Sequence, residues 1–121
     1  MTSTQERDEP TQRRPRECPV ERALDVIGHR WTALIVWHLG DGTKRHAELA
    51  TLLPRITAKV LTERLRTLER LGVVERVIYP EVPPRVEYTL TEHGARLGRI
   101  LDDLEAWGKA TEALTTRLPT R

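Results

Sequence analysis

Side chains able to do chemistry are few in this 121-residue chain, and their spacing narrows what they can do. Cys18 is the single cysteine, so no disulfide can close within one chain. The four histidines, His29, His38, His46 and His93, never stand three or four residues apart, and no Cys-x-x-Cys run exists. Metal ligation relies on such spacings, so no metal is expected and each histidine reads as a surface or half-buried polar residue. Ser3 is the only serine, which rules out a Gly-x-Ser-x-Gly nucleophile, and no glycine-rich phosphate loop is present. The acidic residues are expected to pair with neighbouring arginines at helical spacing, as Glu63 with Arg66. Neither an enzyme nor a bound cofactor is expected. Two chemistries remain: contact with phosphate through a row of cations, and reaction of one thiol.

The cations belong to the stretch from Ile56 to Leu71, closed by Gly72. Leu61, Leu65 and Leu68 recur at i, i+4 and i+7, one face of an α-helix. Thr57 stands at the N-cap position and Gly72 at the C-terminal stop. Lys59, Glu63, Arg66 and Arg70 fall on the opposite face, with Thr62 at its edge, while Arg64 lies towards the apolar flank. Net charge over the whole chain is only +2, but residues 55 to 76 carry six basic and three acidic side chains. The basic excess therefore sits where phosphate contacts need it. An ordinary surface helix with solvated charges would look the same in isolation, so the neighbouring segments decide.

Those neighbours form a pattern. Cys18-Pro19 opens a first helix with Val20, Ala23, Leu24 and Ile27 on one face, ending at Gly28. A second helix runs from Trp31 to Leu39 and stops at Gly40-Asp41-Gly42. A third, short one lies between Thr43 and Leu53, followed by the turn Leu53-Pro54-Arg55. Beyond Gly72, residues 73 to 79 and 86 to 90 have strand character. Between them Pro80, Pro83 and Pro84 forbid a ladder and stiffen a tip, with Arg85 the nearest cation. Thr91 caps a last helix through Leu97, Ile100, Leu101, Leu104, Trp107 and Leu114. The expected fold is mainly α with a small β-hairpin: a winged helix-turn-helix with added N- and C-terminal helices. In that layout the helix after Thr57 enters the DNA major groove.

Residues 1 to 17 have no apolar side chain after Met1 and balance four arginines with four acids, so a flexible tail is expected there. The structured domain is expected over 18 to 114, with a frayed end from 115 to 121. No apolar run is long enough to span a bilayer and no secretory pattern is present, which implies a cytoplasmic protein. The last helix is acidic on balance, which disfavours a seat on phosphates. Its stripe Ile100, Leu104 and Trp107 has no later element to cover it, so a second copy of the chain is expected there.

The blocks Cys18-Pro19-Val20, Ile27-Gly28-His29-Arg30-Trp31-Thr32, Arg45-His46-Ala47-Glu48-Leu49, Gly72-Val73-Val74-x-Arg76 and above all Val82 to Thr91 resemble the HxlR-type family of winged-helix transcription regulators. The resemblance covers about residues 18 to 108. It implies a homodimeric regulator binding double-stranded DNA, its dimer built by the terminal helices, which adds Val20 and Leu24 to the expected interface. It also implies that Cys18 aligns with a cysteine through which some members sense oxidants or electrophiles. His46 stands where the family has an aromatic ring, and either burial or an outward turn fits the sequence.

The expected target is an inverted repeat. Lys59, Thr62 and Arg66 are expected near bases with Glu63 beside them, and Thr57, Arg76 and Arg85 near phosphates and the minor groove. Cys18, at a helix N-terminus where the macrodipole favours a thiolate, is the candidate switch; simple capping or packing is its bland alternative. Two further readings stay open: a small apolar effector held at the dimer interface, and a winged-helix module for protein contact. Weak salt dependence of binding would mark the last.

Overall fold

The computed structural model describes residues 18–117; the expected flexible tail, residues 1 to 17, lies outside the described residues, as do 118 to 121. The order is α1 (Pro19–Ile27), α2 (Arg30–Leu39), α3 (His46–Leu52), α4 (Ala58–Arg70), β1 (Val74–Tyr79), β2 (Arg85–Leu90) and α5 (Glu92–Arg117). This is a winged helix-turn-helix flanked by terminal helices. Among the described residues no helix is long and apolar enough to cross a membrane.

The core is built around α2 and α4. Ile35, Val36, Leu49, Leu61, Leu65 and Leu68 are fully buried, joined by Val73, Val74 and Tyr88 from the wing and Leu101 from α5. The leucines of α4 at i, i+4 and i+7 thus meet α2 and α3 on one side and leave the other side outward. The helix ends cleanly. Gly72 takes a φ of 75°, the Gly72 N–H donates to the Glu69 carbonyl, and the Val73 N–H donates to the Leu68 carbonyl, each at 3.0 Å. This pair of bonds is a Schellman stop, and the buried Leu68 and Val73 supply its apolar contact.

The wing is an antiparallel pair in which Val74 faces Leu90 and Tyr79 faces Arg85. Its tip, residues 80 to 84, carries the three prolines and a cis Val82–Pro83 peptide. A single bridge outside the sequence pattern adds to it: Lys44 and Tyr88 exchange backbone hydrogen bonds of 2.8 and 3.0 Å. The segment before α3 is thereby tied to the wing. Thr91 closes the wing onto the end of α4 by donating its hydroxyl to the Gly72 carbonyl at 2.6 Å, while accepting from the Gly94 N–H at 3.0 Å. Gly94 permits this closure, because a Cβ there would collide with the Val73 carbonyl.

From Thr91 the 26 residues of α5 run about 39 Å at 1.5 Å per residue. The helix continues to Arg117, three residues past the expected end of the domain. Its first turns pack on α2 and β2, and Leu101 is its last buried residue. Residues 102 to 110 are all exposed.

Candidate nucleic-acid interface

The reading helix begins at Thr57, whose side-chain oxygen accepts from the Val60 N–H at 3.1 Å. That bond satisfies one of the open N–H groups of the first turn. Lys59, Glu63, Arg66 and Arg70 are exposed along α4 and form a continuous row, since the leucines turn inward. Lys59, Glu63 and Arg66 make no side-chain hydrogen bond or ion pair among the described residues, so the expected pairing of Glu63 with Arg66 does not form and this part of the row is unengaged. Arg70 donates to the Thr67 hydroxyl at 3.2 Å.

Thr62 differs from the rest of the nominated set. It is half-buried, and its hydroxyl lies 3.1 Å from Nε2 of His46, also half-buried, on α3. The open question about His46 is thereby answered: the ring faces the reading helix and joins the two helices of the motif. Glu48 supports α3 in turn, its carboxylate accepting from the Arg45 N–H at 2.7 Å.

Arg76 lies on β1 opposite Tyr88, and its Nε donates to Glu69 on α4 at 3.4 Å. Burial pushes the Tyr88 hydroxyl above its ordinary range, while the nearby Arg76 and Arg66 pull it down. The pair of Arg76 with Glu69 links the β1 cation to α4. Arg85, by contrast, is engaged. Its guanidinium donates to Glu81 at 2.9 Å and to Glu87 at 2.7 Å, and stacks 3.8 Å from the centre of the Tyr79 ring. The Arg85 hydrogen bond holds the Glu81 carboxyl below its usual range, and the two carboxylates raise the guanidinium in return.

Sequence reasoning gave Arg45 no role. The structure puts it exposed at the start of α3, near enough to Glu81 to help hold that carboxyl low. The signal available was its position, directly before a helix and beside a cation, but the Lys44 bridge that carries it to the wing has no periodic signature.

Away from this surface, Cys18 is an exposed free thiol at the N-cap of α1, where it makes no side-chain capping bond. Val20, Leu24, Ile100, Leu104 and Trp107, the nominated contact residues of the terminal helices, are all exposed.

Fold and surface together define the class: a winged helix-turn-helix protein with a charged outward face on α4. The chain belongs to the HxlR-like helix-turn-helix family, whose model matches residues 26–115. It is 53% identical over 89 residues to the HTH-type transcriptional regulator YtcD of Bacillus subtilis, covering 74% of this chain and 71% of the relative. The structure of the redox regulator HypR in its reduced form superposes with a TM-score of 0.78 at 42% identity, over 84% of this chain and all of the other. The reduced form of the transcriptional regulator YodB from B. subtilis gives 0.67 at 44% identity, over 74% of this chain and 89% of that one.

Proposed function

We propose that this chain regulates transcription as a homodimer on an inverted-repeat operator, with Cys18 as a thiol switch. The observation that carries the DNA reading is the unengaged row Lys59, Glu63 and Arg66, held outward by three buried leucines on the other side of α4. Lys59 and Arg66 reach base edges in the major groove, with Glu63 between them setting preference by repulsion or by accepting from cytosine. Thr62 acts at the edge, through its bond to His46. Thr57, at the helix start, and Arg76, on the wing, lie against phosphate. Arg85 contributes least, because its guanidinium already serves two carboxylates.

The exposed apolar residues of α1 and α5 support a dimer in which the terminal helices cover one another. A two-fold pair presents two copies of α4, which sets half-sites about one helical turn or a multiple apart. The thiol reading is supported by the exposure of Cys18 and by the likeness to HypR and YodB, structures of which include an oxidised and a diamide-treated form. Two Cys18 thiols, or one and a small thiol, would join as a disulfide. The diazene oxidant takes up their two protons and two electrons as it becomes a hydrazine.

The test is a titration of selected operator DNA against salt. Arg66→Ala should weaken operator binding by about 1–3 kcal/mol and relax preference at one base position. Unchanged binding of both operator and random DNA would overturn the assignment of this face. In the same assay diamide should alter the affinity of wild type and leave Cys18→Ser unaffected; equal affinity at full thiol modification would remove the switch.

A further inference from the structure

Between α1, α4 and α5, on the flank of the reading helix away from its charged row, lies a half-open cavity of about 720 Å³. Its apolar wall comes from Val26 of α1, Leu71 at the end of α4, and Leu97 and Ile100 of α5. Its polar side is led by Arg64 and Arg96. Arg22 and Asp25, on the α1 rim, already have partners of their own.

Arg64 is the unusual group. It is half-buried, its Nε is shut off from solvent, and that N–H has no hydrogen-bond partner. The guanidinium makes no hydrogen bond or ion pair with any described residue, and since its Nε is closed to solvent, a ligand in the cavity meets the terminal nitrogens. Nearby Thr67 does not pair with it, since the Thr67 hydroxyl donates to the Glu63 carbonyl and accepts from Arg70. A guanidinium edge is matched best by a carboxylate, which takes two parallel N–H bonds. The apolar wall and the volume call for a compact hydrocarbon body behind that carboxylate, in the usual proportions of a small-ligand site.

We infer that this cavity is a binding site for a small amphipathic carboxylate, its carboxylate on Arg64 and its apolar body against Val26, Leu71, Leu97 and Ile100. The occupant touches α4 from inside while lying against α1 and α5, the two helices whose apolar faces stay open. The site does not depend on the reading of DNA, and its test contains none, so failure of either claim is seen separately.

The experiment is calorimetric titration of the full chain with naphthoate and phenylbutyrate, and with the matching neutral amides. Each carboxylate should bind once per chain and about tenfold or more tighter than its amide, the margin expected of a charge-assisted bond over a neutral one. Arg64→Gln should erase that margin. The same variant, without ligand, should melt at or above the temperature of wild type, because the unpaired Nε donor has been removed. Absence of binding, or equal binding of acid and amide to wild type, would overturn the site. So would a lower melting temperature for ligand-free Arg64→Gln, because the guanidinium would then already be stabilising the protein without a ligand.

Discussion

The reading helix and the periphery of the molecule treat the same ingredients in opposite ways. In α4 the apolar side is closed, with Leu61, Leu65 and Leu68 at 0%, 1% and 0% exposure, and the charges of Lys59, Glu63 and Arg66 are open. In α5 the apolar side is open, with Ile100, Leu104 and Trp107 at 52%, 46% and 68%. There one pair of charges closes, Lys109 lying 3.7 Å from Glu105. The wing tip repeats the peripheral pattern: Val82 is fully exposed while Arg85 is tied to Glu81 and Glu87. An open charge with no protein partner is available to an outside charge, and an open apolar face to an outside apolar face. In the function proposed above, the centre of the molecule meets phosphate and bases, and its terminal helices meet a second copy of the chain.

The sharpest way to break this contrast is to attack the closed side of α4. Leu65→Ala should cost about 2–5 kcal/mol of folding stability, read as a drop in the urea midpoint, because it opens a cavity in a core that three elements enclose. A loss under about 1 kcal/mol would mean that α4 is loosely seated and its outward row poorly aimed. The open side of α5 should behave differently. Leu104→Asp meets water in the single chain, so the folded protomer should survive, with secondary structure unchanged by circular dichroism. Sedimentation at micromolar concentration should show wild type at twice the chain mass and the variant at the chain mass. A wild type already at the chain mass would leave the terminal helices without their proposed partner.

How much of this was legible beforehand follows the same division. Strong local signals carried α4: a leucine period, a capping threonine and a glycine stop, each within one helix. The hairpin was legible because prolines cannot join a ladder. The stripe Ile100, Leu104 and Trp107 was legible as an apolar face, and among the described residues it stays exposed. Long-range single contacts were not legible. The bond between His46 and Thr62 spans 16 residues, and the Lys44–Tyr88 bridge spans more, with no period on either side to betray them. The engagement of Arg85 was hidden for another reason. Sequence shows three charged residues near a tip, but only the fold of the tip decides whether they face outward or each other.

Arg85 provides the smallest and most discriminating expected effect. As the cation nearest the wing tip it is the natural candidate for a phosphate or minor-groove contact, yet the guanidinium spends its N–H groups on Glu81 and Glu87 and its face on Tyr79. Contact with DNA would exchange those bonds for similar ones, and the triad as a whole is an anion. Release of counterions from DNA counts only charge that neutralises phosphate, so a cation already neutralised within the protein adds little to the salt dependence. Arg66→Ala should reduce the slope of log affinity against log salt by about 1, whereas Arg85→Ala should leave it nearly unchanged. Glu81→Gln with Glu87→Gln should then release the guanidinium and steepen the slope by about 1. Should Arg85→Ala alone flatten the slope as much as Arg66→Ala does, the arginine leaves its carboxylates in the complex. The wing would then belong with the open charges of α4 and not with the closed charges of the periphery.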